Sequence, residues 1–284
     1  MTFSIVARSA DGQSWGVAVA SKFLAVGSAV PAAVAGIGAI ATQADANVAY
    51  KGQALAHMDD GATSAVTLQM LLEGDDGRDH RQVGIVDVDG GSATHTGRKC
   101  FDWAGGVADR DVAIQGNILT GPEVVEAMKT SWDTTHQQPD LARRLLEALQ
   151  AGDRAGGDSR GRQSAALFVV REGAGYGGRD DVAVDLRVDD HPRPTEELER
   201  LLDLNDLYLT ASTDGEKVAV TPELQTELDD RARRLGHPDF NAWVGSENFE
   251  MRVGARDTEP PEDRPGDQHW VDVKVLEILR SRTH

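Results

Sequence analysis

A single cysteine, Cys100, leaves this 284-residue chain unable to close an intramolecular disulfide, so an oxidising compartment offers it nothing and a reducing one suits it. Positive charge is scarce as well. With 29 Lys and Arg against 47 Asp and Glu, the formal net charge is −18 at pH 7. Phosphate binding depends on a basic surface that releases counterions, which argues against nucleic acid and against anionic membranes as partners. The charge reads as solubility through self-repulsion, with an acidic partner-binding face as the alternative. Long apolar runs are missing too: the most apolar stretch, Ala25 to Thr42, is interrupted by Gly27, Ser28, Pro31, Gly36 and Gly38 and reads as two short strands with a turn. The first residues carry no basic segment followed by an apolar one, so no secretory leader is expected and the cytoplasm is the expected location. Aromatics make up only 5% of the chain, whereas small and aliphatic residues dominate its 40% hydrophobic content, a mixture suited to closely packed sheets and helices.

What is present is a regular alternation of patterns. Thr2 to Arg8 and Trp15 to Ala20 form a hairpin about Ser9-Ala10-Asp11-Gly12. Strands are expected over Ala25–Pro31 and Gly36–Thr42, then helices over Tyr50–Met58 and Thr63–Glu73, where Ala54, Leu55, Met58, Val66, Met70 and Leu71 recur at helical spacing. Gln82 to Val88 and Ser92 to Thr96 form a second hairpin across Asp89-Gly90-Gly91, and Asp111 to Leu119 is a further strand. Thr120-Gly121-Pro122-Glu123 predicts a Thr N-cap and a helix through Met128, followed by a helix over Asp140–Gln150. Gln163–Arg171 and Val182–Val188 are strands and Pro194–Asp203 a helix. Beyond Thr210–Gly215 come a Pro-started helix over 221–235, an acidic, Pro-rich loop from Asp257 to Asp267 and a closing helix over Asp272–Arg280. The order of strands, two helices, strands, two helices and strands suits helices stacked outside two packed sheets. The expected fold class is α+β, with one domain over 1–213 and a small, mainly helical unit over 214–284.

Several residues qualify for chemistry. Thr2 has a side chain small enough for Met1 to be removed, and a terminal threonine joins a hydroxyl to an α-amine of pKa near 8, nucleophile and base in one residue. Lys22, a lone cation in Val19-Ala20-Ser21-Lys22-Phe23, is carried back toward Thr2 by the hairpin, where its charge would favour deprotonation; the alternative is a surface lysine at a strand end. Asn117 in Gln115-Gly116-Asn117 either donates its amide to an oxyanion or closes an Asx turn. Gln43, Asp45 and Asn47 sit in a polar loop after an apolar strand, a place for substrate contacts or for turn chemistry. Asp158 and Arg160 in the glycine-rich 156–162 stretch are candidates for a substrate amine and carboxylate; the stretch lacks phosphate-loop spacing. Asp185, Arg187 and Asp189 share a strand face and read as an ion-paired network rather than a metal site. Cys100 reads as a small buried residue.

The segments TFSIVAR, GVAVASKFLAVG, ATQADAN, QVGIVD, WAGG, QGNILTGPEVVEAM, GGDSRGRQSAAL and VDLRVDDHPRP resemble the bacterial family of unknown function numbered 1028, over about residues 2–209. That family resembles a branch of the N-terminal-nucleophile (Ntn) hydrolases. The stretches WVGSENFEMR and VLEILR near 216–280 resemble its C-terminal appendage, similar to a peptidoglycan-binding module. The resemblance implies a four-layer αββα sandwich, Thr2 as nucleophile and base, Lys22 as its electrostatic partner, Asn117 as oxyanion donor, no cofactor and no metal, and a homodimer.

The leading expectation is therefore hydrolysis of an amide or related C–N bond in a small metabolite through a Thr2 ester. The alternatives are a peptidase on small peptides or cell-wall fragments, and a non-catalytic binding or scaffold protein on the same fold. Intact-protein mass spectrometry is expected to show loss of Met1; turnover by a chain that keeps Met1 would refute the Thr2 mechanism.

Overall fold

The computed structural model describes residues 2–254 and 269–283. The expected loop from Asp257 to Asp267 lies outside the described residues. The chain divides into two compact units, Met1–Leu201 and Leu202–His284.

In the first unit β1 (Thr2–Arg8) and β2 (Ser14–Ser21) form the expected hairpin, pairing Phe3 with Ala20 and Arg8 with Trp15. A short helix α1 (Val26–Ala29) then leads into β3 (Pro31–Val34) and β4 (Gly38–Ala44). Next come α2 (Tyr50–Asp59), α3 (Ser64–Glu73) and the hairpin β5 (Arg81–Asp87) and β6 (Ser92–Thr96). After β7 (Gly105–Asp109) and β8 (Val112–Asn117) come α4 (Glu123–Thr134), α5 (Leu141–Arg154), β9 (Ser164–Arg171), β10 (Val182–Val188) and α6 (Pro194–Tyr208), within which the second unit begins. The strands build a six-stranded sheet in the order β10-β9-β2-β1-β8-β7 and a four-stranded sheet in the order β3-β4-β5-β6. Every pairing in both sheets is antiparallel. The expected α+β class is the one observed.

Strand alternation divides the side chains between layers. From β1 and β2, Val6, Trp15, Val17 and Val19 meet Ala39 and Ala41 of β4 and Val86 of β5 in an apolar core between the sheets. Alternate residues Phe3, Ile5 and Ala7, all buried, face the other way, toward α5. That helix is capped by Asp140, whose carboxylate accepts from the Ala142 and Arg143 N–H groups, and it buries Leu141, Leu145, Leu146 and Leu149. On the outer side of the four-stranded sheet, Tyr50, Ala54 and Met58 of α2 and Leu68 and Leu71 of α3 pack on Ile40, Val83 and Ile85.

Two local expectations are corrected, and one strand was not expected. The run Ala25–Pro31 is not a strand: Ala25 takes a left-handed conformation (φ 53°), and the Val26 N–H is held by Ser164 Oγ at 3.1 Å, which starts one helical turn. Gly27 there abuts Ala166, leaving no space for a side chain. Thr120 does not cap α4; Pro122 occupies the cap position, and the helix continues past Met128 because Trp132 extends its buried stripe of Val124, Val125 and Met128. Finally β7 carries no apolar alternation that would announce a strand; it forms by pairing with β8.

The second unit packs α7 (Pro222–Arg234), α8 (Phe240–Glu247) and α9 (Val273–Ser281) around Leu228, Phe240, Trp243, Phe249, Val275 and Leu279. A two-stranded sheet pairs β11 (Lys217–Ala219) with β12 (Trp270–Asp272). Asp272 is fully buried and accepts from Ser212 Oγ at 2.5 Å and Arg252 Nη1 at 2.9 Å, so the buried charge is paired. Glu227 of α7 takes both Arg280 Nε and Nη2 of α9 at 2.9 Å and Arg231 Nε at 2.8 Å. Arg280 first, then Arg231, holds the Glu227 carboxyl down to about 2 from its ordinary 4.5. The folded-state pKa is depressed, so this contribution is complete above about 4.5 and disappears as pH falls toward 2. Thermal melting across that window is expected to show a drop that Glu227→Gln flattens.

Candidate functional site

Thr2 opens β1, which lies between β2 and β8 inside the six-stranded sheet. It pairs with Asn117 of β8, and Ser21 of β2 lies one register step beyond the Phe3–Ala20 pair. By alternation Thr2, Ser4 and Val6 share the face turned to the four-stranded sheet, and so do Val17, Val19 and Ser21. Thr2 is 6% exposed, and its Oγ1 lies 3.1 Å from Ser21 Oγ.

Beneath Thr2 the space between the sheets turns from apolar to polar. Gln43 of β4 sends Nε2 to the Thr2 carbonyl at 3.2 Å, to Gln82 Oε1 at 2.8 Å and to the Gln115 carbonyl at 3.3 Å, while its Oε1 accepts from Ser4 Oγ at 2.7 Å. Asn117 sends Nδ2 to the same Thr2 carbonyl at 3.4 Å and to Gln82 Oε1 at 2.9 Å. Gln115 Nε2 donates to Ser4 Oγ at 2.6 Å. Gln82 Nε2 donates to the carbonyls of Gly116 at 2.7 Å and Gly105 at 3.3 Å and to Thr96 Oγ1 at 2.9 Å. Gln43, Gln82, Gln115, Asn117 and Ser4 are all at most 1% exposed, and none carries a charge. Gly84 is required beside this cluster because a Cβ there would strike the Gln115 carboxamide.

The structure thus brings together Thr2, Asn117 and Gln43 of the residues singled out from sequence. It does not bring the Lys22 ammonium to them: Lys22 is exposed, and its Nζ donates to the Arg162 carbonyl at 3.3 Å. The backbone of Lys22 is the better-held part, its N–H reaching buried Asp158 Oδ2 at 2.7 Å, which fixes the end of β2 and with it Ser21. Asp158 also accepts from the Arg160 backbone at 2.9 Å and from Arg160 Nη2 at 3.4 Å, so these two act first on each other. Asn47 belongs to a separate cluster, donating at 3.3 Å to Asp75, which also takes Arg81 Nε at 2.9 Å and Tyr50 Oη at 2.8 Å. Arg81 above all holds the Asp75 carboxyl far below the usual range, and burial together with Asp75 pushes the Tyr50 phenol up. Asp45 meets Arg81 at 3.1 Å. Arg187 forks onto Asp185 at 3.0 and 3.1 Å as an ion pair. Cys100 is half-buried, and burial raises its thiol pKa, which makes it a poor nucleophile.

Sequence reasoning missed Ser21, Gln82 and Gln115. Strict alternation along β2 would have found Ser21, since it falls in phase with Val17 and Val19 while Lys22 does not. A hollow of about 10 Å³ on the α5 side of the six-stranded sheet, lined by Phe3, Ala20, Ser21, Asp153, Asp158 and Ser164, has room for one water, and Thr2 does not line it. A larger hollow of about 670 Å³ lies against α3 and β6, lined by Leu68, Leu72, Arg78 and His95. His95 alternates with Thr94 and Thr96, so this hollow is on the outer face of its sheet and none of the residues singled out from sequence lines it. Among the described residues no three His, Cys, Asp or Glu side chains are grouped to hold a metal ion, and no helix is long and apolar enough to cross a membrane.

No curated protein matches the chain. It is similar to the crystal structure of a Silicibacter pomeroyi protein of the DUF1028 family at 30% identity, covering 75% of this chain and 90% of that one with a TM-score of 0.65. Anbu, an ancestral beta-subunit from Yersinia bercovieri, is a remote likeness at 10% identity and a TM-score of 0.32, covering 72% of this chain and 94% of that one. Residues 2–198 match the model of the family of unknown function DUF1028, and the chain belongs to that family.

Proposed function

We propose that the chain hydrolyses an amide or related C–N bond in a small molecule, with Thr2, freed of Met1, as nucleophile. The observation that carries this reading is the placement of Thr2: first residue of an interior strand, hydroxyl against Ser21 Oγ, carbonyl gripped by Gln43 and Asn117. With α4 and α5 outside one sheet and α2 and α3 outside the other, we read the first unit as the αββα sandwich of Ntn hydrolases.

In this mechanism the α-amine takes the Thr2 hydroxyl proton, directly or through Ser21 Oγ, as Oγ1 attacks the carbonyl carbon. The tetrahedral oxyanion needs a donor. Asn117 Nδ2 is assigned that role because its 3.4 Å bond to the neutral Thr2 carbonyl is its weaker one, readily exchanged for a charged acceptor. The C–N bond then breaks, the proton passes from the amine to the leaving nitrogen, and water, deprotonated by the same amine, hydrolyses the ester. Lys22 serves mainly through its backbone, which anchors Ser21; its exposed ammonium is given a minor part. Gln43 positions Thr2 rather than touching substrate.

A second reading, a non-catalytic binding protein, is favoured by one observation: Thr2 is 6% exposed, which leaves a substrate little access to its hydroxyl. A β-lactone probe separates the two without knowledge of the substrate. Wild-type protein is expected to gain one acyl adduct, seen by intact mass and located at Thr2, and to hydrolyse a member of a panel of amides, ureides and dipeptides. Thr2→Ala is expected to abolish both, whereas Lys22→Ala keeps the labelling rate within a few-fold. Equal labelling of Thr2→Ala, or none of the wild type, would overturn the hydrolase reading.

A further inference from the structure

Gln82 is fully buried at the start of β5, yet its carboxamide is the point where the two sheets meet beneath Thr2. Its orientation is fixed from one side. Nε2 faces the Gly116 carbonyl at 2.7 Å and the Gly105 carbonyl at 3.3 Å, both backbone acceptors of the opposite sheet; turning the amide over would set Oε1 against those oxygens. Oε1 must therefore face Gln43 and Asn117, and it takes one N–H from each, at 2.8 and 2.9 Å. With one hydrogen committed to Gln82, each of these amides turns its nitrogen, rather than its oxygen, to the Thr2 carbonyl. Polarity is passed in a fixed direction from the β7 and β8 backbone through Gln82 to two amides and then to Thr2.

We infer that Gln82 is the positioning residue of the Thr2 site, acting through Gln43 and Asn117 and never on substrate itself. This rests on the proposed role of Thr2. The position demands one planar group that accepts twice on one side and donates on the other. Methionine offers neither function, and a carboxylate offers no donor to the two backbone carbonyls. Glutamic acid meets the demand only when protonated, and burial raises its pKa.

The test compares β-lactone acylation of wild type, Gln82→Met, Gln82→Glu and Thr96→Val, resolved into a maximal rate constant and a half-saturating concentration, with folding verified by cooperative thermal melting. Thr96→Val removes one acceptor of Gln82 at a half-buried position and keeps the side-chain shape, so it carries the test should Gln82→Met not fold. Gln82→Met is expected to lower the maximal rate on the order of tenfold or more with half-saturation little changed, and Thr96→Val to lower it a few-fold. The wild-type rate should rise with pH as the α-amine loses its proton. Gln82→Glu should show an added descending limb as its buried carboxyl ionises, at pH values where it is still folded. Leu149→Ala, in the buried stripe of α5, serves as an equally destabilised control and should keep the wild-type maximal rate. Wild-type maximal rates in the folded Gln82 and Thr96 variants, or an equal loss in Leu149→Ala, would overturn the role of Gln82 while leaving Thr2 as nucleophile. Labelling that persists in Thr2→Ala would instead overturn the reading on which this inference stands.

Discussion

The Gln82 carboxamide joins two sheets by reaching from β5 to the Gly116 carbonyl at 2.7 Å and by receiving the amides of Gln43 and Asn117. A buried polar group left without a partner costs about 1–3 kcal/mol, comparable to a sizeable part of a domain's net stability. A cluster of four carboxamides therefore holds only if every donor meets an acceptor in one consistent arrangement, and here that arrangement ends on the carbonyl of Thr2. Thr2 is thus placed by the whole cluster, and a loss at any member is felt at the start of β1. Gly84, with no side chain, leaves the space that the Gln115 carboxamide fills.

The layer between the sheets has two halves with different tasks. Toward the Arg8 end of β1, Val6, Val17, Val19, Ala39, Ala41 and Val86 exclude water and hold the sheets together without directional preference. Toward the Thr2 end, on the same strands and the same faces, Ser4, Ser21, Gln43 and Gln82 substitute hydrogen bonds whose geometry is specific. The register of β1 against β2 and β8 links the halves. A slip by one residue would turn Thr2 and Ser4 toward α5 and bring Phe3 and Ile5 between the sheets, losing both at once.

The larger elements were legible in the sequence because their signals are local. The first hairpin, the helical spacing of α2 and α3, and the turn about Gly90 each sit within one short stretch of chain, and each is observed close to its expected bounds. α1 was not legible, since its start depends on Ser164, distant in sequence, and on a left-handed Ala25. At the site, Thr2, Gln43 and Asn117 stood out by residue type and place, and all three meet. Lys22 stood out by its charge and its place at the end of the hairpin, but it is one residue out of phase with Ser21 and turns its ammonium to the Arg162 carbonyl. Gln82 and Gln115 carry no signal of their own; a glutamine in an alternating strand reads as surface, and only the pairing of two sheets reveals that both are inside.

The neutrality of the cluster bears on chemistry. For a terminal threonine to act as its own base, its α-amine must be unprotonated near neutral pH, and its ordinary pKa near 8 already lies close to that range. A carboxylate buried beside it would stabilise the ammonium and move the pKa upward, removing the base; a carboxamide orients the residue without that penalty. Burial alone moves an amine in the opposite direction, toward the neutral form. In a chain with a net charge of −18, the polar interior beneath Thr2 is built from Gln, Asn, Ser and Thr, and Asp158, which holds the end of β2, is occupied by the Lys22 and Arg160 backbone N–H groups. Orientation by uncharged groups is what a self-activating threonine requires, and it is also why substitution of Gln82 by an ionisable residue of the same shape is the more informative change than its removal.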